Sequence, residues 1–138
     1  MLKKTNIGNQ SRLKSKKTTE KIFNSGRVIY SPDKKLRAHY LLYKNPDECG
    51  IKSSVAVSKK AGKAVWRNRA KRLIREANRL SSYELLENCL YKKTQLEIIF
   101  AINNLNEVAN RKISLTDFQL PIEEILKQVN RELIESYS

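Results

Sequence analysis

The sequence predicts an α+β domain in which a first helix precedes three strands and a helix–strand–helix segment, in the order αβββαβα. Three observations carry this prediction. Strand-sized runs of aromatic and aliphatic residues end at turn signals between residues 27 and 58. Residues 64–80 then switch to apolar residues spaced by three and four, the period of a helix with one buried stripe. Finally, QLEIIFAIN (residues 95–103) is almost continuously apolar, as expected of a strand covered on both faces. Four strands in a mixed sheet packed by helices account for all of this, and 138 residues suit one such domain.

Residues 1–11 are polar and basic and are expected to form a disordered tail, with the domain spanning 12–138. The first helix is expected from about Thr19 to Ser25, capped by Thr18 or Thr19 and ended by Gly26. It would bury Ile22 and, in its plain reading, Phe23. The strands RVIYS, LRAHYLLYK and SSVAVSK lie close enough in sequence to form an antiparallel meander. In the next helix Trp66, Ala70, Leu73, Ile74, Ala77 and Leu80 form the apolar stripe, while residues 81–93 read as helix or loop. After the last strand and a polar loop, the final helix buries Ile122, Ile125, Leu126, Val129 and Leu133. Either Pro121 at its first position or Thr116 as an earlier cap could start it.

Charge narrows the function. The net charge is +14, and residues 1–80 carry 22 Lys/Arg against 5 Asp/Glu. A charge so lopsided destabilises the compact state by self-repulsion unless a polyanion is present. Nucleic acid is the first candidate polyanion and an anionic membrane surface the second. No apolar run approaches the roughly 18 residues that a membrane span needs, and the basic N-terminus has no apolar stretch behind it, so the expected location is the cytoplasm. Cys49 and Cys89 stand alone, without the ligand spacing of a zinc site, and read as free thiols. Acid–base catalysis without a metal commonly wants two groups. His39 is the only histidine, so no catalytic residue is assigned.

The helix from Trp66 to Leu80 places Arg67, Asn68, Lys71, Arg72, Arg75 and Arg79 opposite its apolar stripe, with Glu76 the one acid nearby. Like charges one turn apart cost a few tenths of a kcal/mol each, and a plain solvated face would mix signs. The face reads as a binding surface.

Residues 58–76, SKKAGKAVWRNRAKRLIRE, closely resemble the signature of the bacterial ribonuclease P protein subunit, an Arg-Asn-Arg box followed by Lys-Arg-aliphatic-aliphatic-Arg. RLKSKKTTEKIFNSG, LRAHYLLYK and SSVAVSKK resemble the flanking elements of that family, so the similarity covers about residues 10–135. It implies the fold of the second domain of ribosomal protein S5, with a left-handed βαβ crossover, a rare exception to the usual hand. It also implies an accessory subunit of an endoribonuclease. Catalytic groups and Mg²⁺ then belong to an RNA subunit, and the protein promotes removal of the 5′ leader from precursor tRNA. The protein would be a monomer when free of RNA, with no membrane or DNA partner.

Two surfaces follow from the resemblance. Lys59, Lys60, Arg67, Asn68, Arg69, Lys71, Arg72 and Arg75 would contact the catalytic RNA, arginine suiting phosphate through its planar fork. Asn68 could also hold a hydrated Mg²⁺, or simply bond to its helical neighbours. A cleft between the first helix and the sheet would hold the single-stranded leader. Phe23, Tyr40 and Tyr43 would line it, with Arg12, Lys14 and Lys16 near its entrance. Tyr40 and Tyr43 differ in parity, so in a regular strand one of them belongs to the core. The family's first helix often carries a second aromatic where this chain has Thr19. The competing class is a structural RNA-binding protein of the ribosome or its assembly. A duplex-DNA regulator is weaker, because no second helix follows by a short turn.

Overall fold

A computed structural model describes residues 10–13 and 16–136. Its elements are β1 (Gln10–Arg12), α1 (Lys16–Ser25), β2 (Arg27–Tyr30), β3 (Leu36–Lys44) and β4 (Gly50–Ala56). A 3₁₀ turn at Lys59–Ala61 leads into α2 (Ala64–Ser81), followed by α3 (Tyr83–Tyr91), β5 (Thr94–Ile102) and α4 (Leu115–Ser136). Residues 1–9 of the expected tail lie outside the described residues, as does Lys14. Gln10 and Ser11, expected in the tail, instead belong to β1, which pairs in parallel with β4 and covers its edge.

The four expected strands form one mixed sheet, and β1 adds a fifth, in the order β1-β4-β5-β3-β2. The expected meander of three strands is corrected at one point: β2 and β3 form the hairpin, but β3 and β4 do not pair. β5 lies between them, antiparallel to β3 and parallel to β4. Its composition explains the insertion, because Leu96, Ile98, Ile99 and Phe100 are all buried and only the sheet centre hides both faces. The parallel β4–β5 connection is made by α2 and α3, so residues 81–93 are mostly helix, burying Leu85, Leu86 and Cys89.

Strand parity divides the molecule into two sides. Leu36, Ala38 and Tyr40 of β3 join Leu96, Ile98 and Phe100 of β5 in the main core, against α2 and α4. Arg37, His39, Leu41 and Tyr43 point the other way, as do Gln95, Glu97 and Ile99, and α1 packs across β3 and β5 on that side. Ile22 anchors α1 there, fully buried.

Gly26 ends α1 as expected, for a reason other than a left-handed backbone. A Cβ there would lie 2.4 Å from the Ile22 carbonyl oxygen and 2.8 Å from that of Tyr40. Only glycine lets α1 meet β3 so closely. At the far end of the chain, α4 begins at Leu115, six residues before Pro121 and one before Thr116. Ser114 donates its backbone N–H to Asp117 Oδ2 at 2.8 Å, a capping box that fixes the start. Pro121 sits inside the helix, where it faces the core.

Candidate nucleic-acid interface

The basic helix is built from its N-terminus. Ser58 Oγ accepts from the Lys60 N–H at 3.1 Å and folds the 3₁₀ turn that carries Lys59 and Lys60, both exposed. No side chain of the turn caps α2. Glu107, from the loop after β5, accepts the Lys63 N–H at 2.8 Å, while its own N–H donates to the Ala61 carbonyl at 2.7 Å. A carboxylate there also suits the positive end of the helix dipole. Gly62 permits this closeness, since a Cβ would lie 2.8 Å from Glu107 Cβ and 3.0 Å from the Trp66 ring. Trp66 Nε1 donates to the Asn110 carbonyl at 3.0 Å, and Arg69 donates twice to the Ile113 carbonyl at 3.0 and 3.1 Å. The polar loop expected over residues 104–118 runs over 103–114, between β5 and α4, and is the clamp that seats the start of α2. Nothing in its composition signals this.

At 100° per residue, Asn68, Arg72, Arg75 and Arg79 centre opposite the buried Trp66, Ala70, Ile74 and Ala77. Leu80, expected in the stripe, is 47% exposed because the stripe has rotated past it by the end of the helix. Asn78 is buried instead, donating to Ser53 Oγ at 3.4 Å. The eight residues expected at this surface do not stand alike. Lys59, Lys60, Asn68 and Arg72 are exposed, and Lys71 and Arg75 half-buried. Arg67 and Arg69 commit part of their guanidinium groups to carbonyls of Gly62 and Ile113. They hold the backbone and offer only their remaining N–H groups outward. Arg79 pairs with Glu76 on the helix surface.

The second expected site is the sheet face beneath α1. Phe23 is 37% exposed, not core, and meets His39 edge-on with ring centroids 4.7 Å apart. Arg37 Nε donates to His39 Nε2 at 3.1 Å. Burial and then the Arg37 charge hold His39 below its ordinary pKa, so it is neutral and bears its proton on Nδ1. Tyr43 shares this face, half-buried; burial and then Glu97 push its phenol up to about 12. Val28 and Tyr30 of β2 lie opposite His39 and Arg37 and are exposed. They extend the apolar and aromatic surface beyond the residues expected from the sequence. Their signal is the alternation in RVIY, too short to be decisive. Lys16 is exposed at the start of α1.

Two expected cleft residues lie elsewhere. Tyr40 is 2% exposed and points into the main core, as parity requires when Tyr43 faces the cleft. Its hydroxyl donates to Glu132 of α4, which also holds Arg27 at 2.9 Å. Tyr40→Phe should therefore cost about 1 kcal/mol of stability in urea unfolding, with binding of single-stranded RNA unchanged. A selective loss of RNA binding would return Tyr40 to the cleft. Arg12 is the other departure: β1 sets it opposite Ser53, on the α2 side of the sheet edge, away from Phe23. Burial, and then the Arg12 charge, draw Arg75 below the ordinary arginine value.

Fold and charge together define the class: a small α+β protein built around one basic helix, with aromatic side chains on the opposite face of its sheet. A family model for ribonuclease P matches residues 7–119, and the chain belongs to the ribonuclease P protein family. It is 50% identical over 50 residues to the ribonuclease P protein component of Desulfovibrio desulfuricans. That match spans 34% of this chain and 38% of the relative's length. The fold is similar to the ribonuclease P protein of Staphylococcus aureus, with TM-score 0.63, 22% identity and coverage of 86% of this chain and 94% of that one. It is also similar to the protein from Thermotoga maritima, with TM-score 0.64, 19% identity and coverage of 85% and 96%. No helix among the described residues is long and apolar enough to cross a membrane.

Proposed function

We propose that this chain is the protein subunit of a ribonuclease P holoenzyme that binds the catalytic RNA through α2 and the 5′ leader of precursor tRNA through the cleft beneath α1. The observation that carries the reading is the outer face of α2. Among the described residues, Asn68, Lys71, Arg72 and Arg75 stand there without an acidic partner, while Glu76 is taken by Arg79. The cleft suits unpaired leader bases, because Phe23 and Tyr43 offer ring faces that stack for about 1–3 kcal/mol per base without demanding a sequence. Thr19, one turn before Phe23, offers no second ring.

Catalysis belongs to the RNA and its Mg²⁺ ions in this reading. Among the described residues no group of three or more His, Cys, Asp and Glu assembles that could hold a metal. Asn68 contributes at most a contact to a hydrated ion. The protein raises precursor affinity by offsetting RNA repulsion near the site of cleavage. It acts in the cytoplasm and is a monomer until it meets RNA.

Cleavage of precursor tRNA at low Mg²⁺ tests this, with the protein alone, a bacterial ribonuclease P RNA alone, and the two together. The expected result is cleavage at the mature 5′ end only with both, and tighter binding of precursor than of mature tRNA. Tight RNA binding with no gain in cleavage would instead identify a structural RNA-binding protein.

A further inference from the structure

The arginine that β1 carries across to α2 takes no part in either surface of the proposed function. We propose that Arg12 and Arg75 form one phosphate subsite at the sheet edge, gripping a single phosphodiester of the catalytic RNA between two elements of the fold. This deepens the proposed function and rests on it.

The geometry comes from two independent constraints. The Leu13 N–H donates to the Ser53 carbonyl at 2.9 Å, and the β1–β4 register sets Arg12 opposite Ser53. From the helix side, Asn78 donates to Ser53 Oγ, and Arg75 lies one turn earlier on α2. Ser53 is thus the common point that brings the exposed Arg12 to the half-buried Arg75.

Two guanidinium groups held this close repel each other, and that repulsion contributes to the lowered pKa of Arg75. Among the described residues no carboxylate pairs with either; Glu76, the acid of this helix, is held by Arg79. A fold that turns an edge strand so as to place one arginine beside another gains nothing in the free protein. It gains when an anion lies between them, because two planar forks can satisfy the several acceptor positions of one phosphate.

A phosphate that neutralises the pair would seat β1 against β4.

The test measures affinity for a bacterial ribonuclease P RNA and, separately, for a short single-stranded leader RNA. Wild type, Arg12→Ala, Arg75→Ala, the double variant and Arg12→Lys are compared across a salt series. Each single alanine variant should bind ribonuclease P RNA about tenfold more weakly. The double variant should lose little more than either single, because both arginines serve one phosphate. The magnitude of the salt slope should fall by about 0.7–0.9 in each of the three. Arg12→Lys should keep the slope and lose part of the affinity. Hydrogen exchange at the Leu13 amide should slow when RNA is added to wild type and not to Arg12→Ala. Fully additive losses, or a loss confined to the leader RNA, would overturn the shared subsite. Failure of wild type to bind ribonuclease P RNA would instead overturn the proposed function.

Discussion

Trp66→Ala should cost about 3–5 kcal/mol of folding stability, the largest loss expected from any single side chain of α2. The indole is 4% exposed and belongs to the main core, so its removal leaves a void among close-packed neighbours. It also leaves the Asn110 carbonyl without its donor and releases one of the bonds by which residues 103–114 grip the start of α2. Arg67 and Arg69 depend on that grip, since their guanidinium groups bond to Gly62 and Ile113 on either side of it. Trp66→Phe separates the two contributions by keeping most of the volume and losing the N–H; it should cost about 1 kcal/mol beyond the smaller ring's packing loss. Urea unfolding of the two variants decides the matter. A loss under about 1 kcal/mol for Trp66→Ala would mean that Glu107 alone seats the loop.

Much of this fold is legible in the sequence because periodicity records burial. The run from Leu96 to Phe100 announces a central strand, and the spacing of Trp66, Ala70, Ile74 and Ala77 announces a helix lying on it. Strand order is not recorded in that way. The segments of β3 and β4 are separated by five residues, a distance that suits a hairpin, yet β5 takes the place between them. Competition for the centre decides the order, and β5 takes it because it is buried on both faces, with Leu96, Ile98 and Phe100 on one and Ile99 on the other. The short helix α3 is equally hidden, since Glu84, Glu87 and Asn88 interrupt the apolar residues that it buries.

The two surfaces differ in legibility for a related reason. The face of α2 is a local property: once the helix is known, Arg72, Arg75 and Arg79 point away from Trp66 whatever the rest of the chain does. The cleft is a property of pairing. Parity alone shows that Tyr40 and Tyr43 do not both line it, and the contact between Phe23 and His39 decides which of them does. Arg12 shows the limit most clearly. Its nearness in sequence to α1 suggests the cleft, while pairing of three residues with β4 carries it to the basic helix. Likewise, no pattern within residues 103–114 foretells that Glu107 and Asn110 address α2, because each bonds across more than 40 positions.

The second large effect is expected on binding. Arg72→Glu combined with Arg75→Glu should weaken affinity for a bacterial ribonuclease P RNA by at least about 10²-fold. Two charge-assisted bonds to phosphate disappear, at roughly 1.5 kcal/mol or more each, and two new anions face the backbone. Stability should change little, because Arg72 is exposed, Arg75 half-buried, and neither belongs to the core that holds Trp66, Ala70 and Ile74. Removing the repulsion along the row from Lys71 to Arg79 even favours the free helix slightly. Net charge alone would predict the same loss from any pair of reversals. Lys127→Glu with Arg131→Glu on α4 makes an equal change on the acidic half of the chain, where both residues are exposed. That pair should weaken binding only a few fold, through the long-range field, which salt screens beyond about 10 Å. Filter binding across a salt series reads both variants. For the α2 pair the slope should shrink by about 0.7–0.9 for each phosphate no longer neutralised, whereas for the α4 pair it should hold. Equal losses from the two pairs would mean that RNA is drawn to the charge of the whole protein. A loss specific to α2 would mean that RNA lies along the face that Trp66 and residues 103–114 hold in place.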